Sequence, residues 1–280
     1  MIMRKGIKKA IATVLTAALA MSVCSPAFAA DSKTKVDMAT KEKICEIYLL
    51  DMETVNGLPQ QELEKYLDAI DTAIVVSTSE KYYKETVDSN NEVVLVEATK
   101  AEYENDLKKR DNTTTWLAMT TRVVSKDTRR GIATVRCEWL PRPTICKTDV
   151  VGVNVKQGSI VSGEQSGTYT VYYNDGTAKV LGNYDSSDSD VIGTGTVLNV
   201  SLDPGYDKLI TKHIITSSTN FYKESGSEQI TSSYLHQTYL LNISPSFYFT
   251  SSGKIKIDGE ASVSEYYDEM YDDASIDWRA

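Results

Sequence analysis

The sequence predicts a mainly β protein, an antiparallel β-sandwich-like domain preceded by a small helical or α+β N-terminal portion. Two observations carry this reading. After residue 111, apolar and polar residues alternate with a period of two in one short run after another, with turn residues between them and no helical spacing among them. Before residue 111, apolar residues recur at i, i+3, i+4 and i+7 instead. The organisation is therefore a leader over 1–29, a helical or α+β portion over 30–110, and an antiparallel β-sandwich over 111–280.

The leader explains itself from its three parts. Arg4, Lys5, Lys8 and Lys9 precede an apolar run from Ala10 to Val23, and Ala27-Phe28-Ala29 ends the segment on small residues. This is the layout of a secretory signal peptide, cut between Ala29 and Ala30. The run of about 14 residues falls short of the roughly 20 that a spanning helix needs. Cys24 follows Val23, where a lipid-attachment signal would place a small residue. The expected product is secreted, extracellular or cell-wall associated, with no integral membrane span in the mature chain.

In the next portion, Thr40 is placed to cap a helix whose Ile44, Cys45, Tyr48, Leu49 and Met52 share one stripe. Asn56-Gly57 breaks it, and Pro59 opens a second with Leu63, Tyr66, Leu67 and Ile70. Ile74–Ser77 and Glu92–Val96 read as short strands around an Asp88-Ser89-Asn90-Asn91 turn. Thr99 with Glu102 forms a capping box for a polar helix through Lys109.

The sandwich begins with two alternating runs. In the first, Leu117, Met119, Thr121 and Val123 share a face; in the second, Ala133, Val135, Cys137 and Trp139 do. Strands are expected next at Val150–Val155, Thr168–Tyr173, Ala178–Leu181 and Val197–Leu202, with Asn174-Asp175-Gly176 as a hairpin turn. Leu209–Thr216, Ser233–Ile243, Ser246–Thr250 and Ala261–Tyr266 complete the set.

Trp139-Leu140, Pro143 and Asp149-Val150-Val151 form a WL-x2-P…DV[IV] signature, and Tyr234-Leu235-His236 and Tyr267-Asp268-Glu269-Met270 accompany it. With these motifs, residues 112 to 277 resemble a loose group of uncharacterised exported β-rich proteins of Gram-positive bacteria. The resemblance implies an exported β-rich domain and brings no activity or catalytic residue with it.

Charge narrows the partners. The chain has 30 Lys+Arg against 39 Asp+Glu, and the leader holds four of the bases and none of the acids. The mature chain thus carries 26 bases and 39 acids, a net of −13. Such a surface is repelled by phosphate backbones and anionic lipid, so no nucleic-acid partner is expected. A glycan, a cell-wall component or a protein remains.

Candidate chemistry is sparse. Without Cys24, the cysteines are Cys45, Cys137 and Cys146. Cys137 and Cys146 flank a segment with two prolines, which permits a disulfide in an oxidising exterior; the other reading is two buried thiols. Cys45 sits on an apolar stripe, as a core residue does. The only two histidines, His213 and His236, lie inside expected strands with no Cys or His at ligand spacing. Gly163-Glu164-Gln165-Ser166-Gly167 has the wrong order for a nucleophile elbow. Asp185, Asp188 and Asp190 in a Ser-rich loop are weak calcium candidates, with a solvated loop as the plainer reading, and Asp268, Glu269, Asp272 and Asp273 crowd the C-terminus. No catalytic residue and no cofactor is assigned. Of 24 aromatics, 17 are tyrosine, in pairs at 82–83, 172–173 and 266–267. Adjacent strand residues face opposite ways, so only one of each pair can join a binding face.

Three functions are consistent with these residues. The first is a non-catalytic extracellular or cell-envelope binding module. The second is a secreted carboxylate-based glycoside hydrolase. The third is a secreted antagonist whose 30–110 portion is a removable pro-segment.

Overall fold

The computed structural model describes residues 36–68, 70–109, 114–203, 205, 208–224, 226–238, 245–258 and 266–277. The leader, its cleavage site at Ala29 and Ala30, the boundary at residue 111 and most of the strand expected at Ala261–Tyr266 lie outside them. The elements fall in one compact unit that begins at Asp37.

In chain order, α1 (Met38–Tyr48), α2 (Met52–Gly57) and α3 (Gln60–Leu67) lead into β1 (Ile74–Val87), β2 (Val93–Ala98) and α4 (Lys100–Lys109). Then come β3 (Trp116–Ser125), β4 (Arg130–Leu140), β5 (Thr148–Val155), β6 (Ser159–Tyr173), β7 (Ala178–Asp185), β8 (Ser189–Ile192) and β9 (Gly195–Ser201). β10 (Ile210–Tyr222), β11 (Ser227–Gln237), β12 (Ser246–Phe249), β13 (Ile255–Asp258) and β14 (Tyr267–Asp277) follow. The protein is mainly β, with antiparallel sheets in a sandwich-like arrangement and a small helical N-terminal part.

Three sheets form. The first has seven strands in the order β2-β1-β3-β4-β10-β6-β7, the second five in the order β14-β11-β5-β9-β8, and the third is the β12-β13 hairpin. The inner faces of the first two build the core. Leu117, Met119, Val135, Cys137, Trp139, Val171 and Ile215 on one side meet Val151, Val153, Leu198, Ile230, Tyr234 and Met270 on the other. Period-two alternation put these residues inside, because a strand with one buried face must keep its apolar set in register. The hairpin covers the outer face of the five-stranded sheet, where Phe247 and Phe249 pack on Val150, Val197 and Leu235.

The helices cover the outer face of the seven-stranded sheet. That face carries hydroxyls beneath them: Thr54 bonds Thr170 at 2.8 Å, Thr168 bonds Thr216 at 2.7 Å, and Thr134 bonds Ser218 at 2.8 Å. Small, mutually satisfied hydroxyls let the helices approach without orphaning a buried polar group. Two sheet arginines also reach the C-terminal carbonyls of α1, Arg122 through Nη1 to Glu46 O and Arg136 through Nη1 to Leu49 O at 3.0 Å. Cations there complement the helix dipole and the unpaired carbonyls.

Local details depart from the sequence reading in identifiable ways. Asp37, not Thr40, caps α1, its Oδ1 accepting from Thr40 N at 2.7 Å. The stripe expected to run on to Met52 breaks at Leu49, whose φ is 54°, and Asp51 caps a separate helix by accepting from Thr54 N at 2.7 Å. The turn at 88–91 forms as read, with Asp88 Oδ1 accepting from Asn90 N and Glu92 N. The Thr99–Glu102 capping box forms too, with bonds of 2.8 Å and 3.2 Å. β1 is far longer than Ile74–Ser77, and β1 and β2 pair beside β3 in the same sheet.

Candidate functional site

The site begins with an irregularity in β6. This strand pairs with β10 down to Gln165 opposite Thr219, and pairing resumes at Ile160 opposite Phe221. Residues 161–164 therefore stand against Asn220 alone and bulge out of the sheet. Gly163 turns the corner at φ +83°, a conformation that costs other residues energy. Gln165 Nε2 donates to Val161 O at 2.7 Å across the base of the bulge, and Asn220 Nδ2 donates to Glu164 O at 3.3 Å. Bulges of this kind recur where a sheet must re-aim side chains.

Four other segments converge on the bulge and enclose a pocket of about 380 Å³. Tyr48 comes from the end of α1, Lys65 and Asp68 from α3 and its C-cap, Lys126 from the β3–β4 turn, and Asp185 and Ser186 from the β7–β8 turn. The volume lies at the small end of the range for small-molecule sites.

The charges of the pocket are matched internally. Lys126, with only 5% of its side chain exposed, places Nζ 2.6 Å from Asp68 Oδ2, and this hydrogen bond holds the Asp68 carboxyl below the usual carboxylate range. Lys65 Nζ is 2.6 Å from Glu62 and 3.6 Å from Asp185. Asp185 is lowered mainly by hydrogen bonds from the Ser187 hydroxyl and amide. Tyr48 packs edge-on to Tyr66 with centroids 4.7 Å apart, and burial pushes the Tyr48 phenol up. Asn220 Oδ1 is buried and has no hydrogen-bond partner among the described residues.

A second constellation lies inside the sandwich and gathers the signature residues. Trp139 Nε1 on β4 donates to Tyr234 Oη on β11 at 2.7 Å, and Tyr234 donates in turn to Asp149 Oδ2 on β5. His236 Nδ1 is 3.0 Å from both Asp149 oxygens, and Gln237 N donates to Oδ1 at 3.1 Å. Burial works to lower the His236 pKa, but the Asp149 charge and hydrogen bond outweigh it and hold the imidazole above its ordinary value. All four side chains are buried. The network pins one sheet to the other and offers no face to a ligand. Leu140 and Pro143 line a nearby groove of about 730 Å³ at the end of the sandwich, with Leu209 and Thr211 opposite.

The remaining sequence candidates fall as follows. Cys137 is buried on the inner face of β4, Cys146 sits half-buried with Sγ 3.6 Å from Pro143 O, and these two and Cys45 are all free thiols. Burial raises the Cys45 and Cys146 thiols to about 11. Asp185 and Asp188 direct oxygens to the turn between β7 and β8, Asp185 accepting from Ser187 N at 2.8 Å and Asp188 from Asp185 N at 2.9 Å. Only Asp185 of the three calcium candidates lines the pocket; Asp190 is exposed on β8. Among the described residues no three His, Cys, Asp or Glu side chains converge as metal ligands. His213 faces Tyr169, whose hydroxyl is 2.7 Å from Nδ1, while its Nε2 is buried without a partner among the described residues. Tyr82 lies under Tyr103 of α4, and Tyr83 points inward and donates to Tyr271 O at 2.9 Å. Lys212 covers the Tyr172 ring at 3.9 Å and Lys208 the Tyr173 ring at 5.0 Å.

The pocket was not legible as a site in the sequence, although two of its parts were on view. In sequence the 163–167 stretch reads only as a failed nucleophile elbow, and Asp185 only as a calcium candidate. Tyr48 reads in sequence only as a stripe residue, and Lys65 and Lys126 carry no local signal, since their convergence depends on the helix layer docking on the sheet.

No family model matches the chain, and no curated protein does. Solved structures give distant likenesses. A pore-forming protein is 9% identical with a TM-score of 0.27, over 73% of this chain and 93% of that one. Clostridium perfringens delta-toxin is 6% identical with a TM-score of 0.23, over 74% and 95%. The collagen binding domain of an Erysipelothrix rhusiopathiae surface protein is 9% identical with a TM-score of 0.24, over 58% and 64%. At such TM-scores these likenesses carry no argument. Among the described residues no helix is long and apolar enough to cross a membrane.

Proposed function

We propose that this protein is an exported, non-catalytic binding module that works outside the cell or at its envelope and holds a ligand in the pocket under the β6 bulge. One observation carries the reading: the β6 bulge, the end of α1, α3 with its C-cap, the β3–β4 turn, the β7–β8 turn and Asn220 of β10 converge on one pocket lined largely by polar and charged side chains.

The hydrolase reading draws on Asp68, Glu164 and Asp185 around the same cavity. It fits less well, because a general acid needs a raised pKa near its working pH, while Asp68 and Asp185 are both held low. The pro-segment reading is weakened by β1 and β2, whose loss would strip two strands from the seven-stranded sheet.

The test is retention. Purified mature chain is passed over cell-wall and envelope material of a Gram-positive bacterium, beside a Lys126→Met variant of equal melting temperature. Retention of the wild type and its loss in the variant supports the module; equal retention, or none, overturns the assigned site.

A further inference from the structure

We infer that α1 to α3, over residues 37–68, form a cover that lifts off the seven-stranded sheet as one unit while the sandwich stays folded, and that the pocket exists only while this cover is down.

The way the layer is held comes first. The strands are locked to one another by backbone ladders, but among the described residues no backbone–backbone hydrogen bond runs from 37–68 to a strand. Side chains cross the seam instead. Thr54 meets Thr170, the Arg122 and Arg136 guanidinium groups reach carbonyls at the end of α1, and Tyr172 Oη donates to Glu53 at 3.3 Å. A unit held in this way can open without breaking a ladder, as in local rather than global unfolding.

Burial is divided along the same seam. Ile44, Val55, Leu63 and Tyr66 are buried, yet among the described residues the core between the two sheets takes no side chain from α1 to α3. The outer face of the sheet sets hydroxyls among its buried Val124, Ile132 and Ile214. Those hydroxyls pair largely within the sheet, Thr168 with Thr216 and Thr134 with Ser218. Lifting the layer therefore leaves them satisfied, and it uncovers less apolar surface than parting the sheets would.

The pocket lies on the seam. Tyr48, Lys65 and Asp68 wall it from the cover, and the β6 bulge, Lys126 and Asp185 wall it from the sheet. Two of the ion pairs that cross the seam stand in these walls, Lys126 to Asp68 at 2.6 Å and Lys65 to Asp185 at 3.6 Å. The charges of the pocket are thus a clasp between the two parts. Beyond α3 the chain passes through exposed Asp71 and Thr72 into β1, a tether that keeps the lifted layer near its seat.

The experiment is native-state hydrogen exchange by mass spectrometry on the mature chain, along a urea series in low and in high salt. Peptides from 37–68 should exchange together, through an opening with a smaller urea dependence than the transition that exposes β3, β4 and β10. Salt should speed that opening, because the pairs at the pocket are partly exposed and are screened. Lys126→Met should speed it about fivefold, since Asp68 loses its partner but regains water, and should leave exchange in β4 and β10 as it was. Exchange of 37–68 with the same urea dependence as the strands would overturn the cover, and so would an opening that neither salt nor Lys126→Met moves. No ligand enters the measurement, so its failure removes the cover and leaves the binding reading to the retention experiment.

Discussion

The hydroxyl of Tyr234 receives a hydrogen from Trp139 and passes its own to Asp149, so its removal orphans two buried groups together. Tyr234→Phe leaves the ring packing intact and deletes only this relay. The expected loss is on the order of 3 kcal/mol, read as a lower urea midpoint with an unchanged slope; a loss under about 1 kcal/mol would show that the relay is dispensable. Gly131 offers a test of packing instead. A Cβ built there would lie 2.5 Å from the Phe221 ring, so Gly131→Ala should cost about 1–3 kcal/mol through overpacking. The thiols make a third case at this scale. Burial raises all three, so Cys45, Cys137 and Cys146 should react with a thiol reagent at neutral pH far more slowly in the native protein than in denaturant. Rapid labelling of native protein would contradict their placement.

Among the elements, the β6 bulge is the one that makes a site out of an otherwise regular sheet. Gly163→Ala meets no atom within 4 Å, so its cost is purely conformational, about 1–2 kcal/mol for holding an alanine at a φ of +83°. Calorimetry should show this small loss of stability, and binding at the pocket should weaken by more than stability does if the substituted bulge moves. Helices α1 to α3 show why parts of the architecture were legible. Of the two helical stripes, Ile44, Tyr48, Leu63 and Tyr66 are buried, whereas Cys45 and Met52 are half-buried and Leu67 is exposed. What spacing could not reveal was the break at Leu49, since a left-handed residue other than glycine carries no compositional mark. β14 escaped for a different reason. Its inward positions hold Asp268 and Asp272, which accept from Leu95 N and Ser79 Oγ across the sandwich, so its alternation is polar on both faces. A buried carboxylate that is satisfied by another strand looks, in sequence, like a solvated one.

For the molecule as a whole, the two histidines set opposing pH limits. His213 is lowered to about 4, chiefly by burial, with the Asp203 charge opposing and Arg142 assisting. Its unfolded counterpart titrates near 6.5, so its contribution is complete above about pH 6.5 and is lost as pH falls toward 4, by on the order of 3 kcal/mol. His236 behaves in the opposite sense. Its raised pKa, set against burial by Asp149 with smaller help from Glu85 and Asp268, gives a contribution complete below about pH 6.5 and lost as pH rises through the folded value. Melting temperature against pH should therefore lose its acid-side slope in His213→Asn and its alkaline-side slope in His236→Gln, each relative to wild type. If neither variant changes the profile, the placement of both imidazoles is wrong. The class of fold was readable from period-two alternation, because one-sided burial imposes it. The strand order was not, because β10 finds its neighbours far away in sequence.

That strand order has a consequence for how the protein comes into being. β10 lies between β4 and β6 and bonds to each along most of its length. A nascent or truncated polypeptide that stops short of residue 210 holds two unjoined half-sheets, one ending at β4 and the other starting at β6, with facing edges and nothing to zip them. Such chains should stay protease-sensitive however much of the hydrophobic interior they already contain. Complete ones should acquire resistance late and in a single step, on the millisecond-to-second scale typical of non-local β topologies.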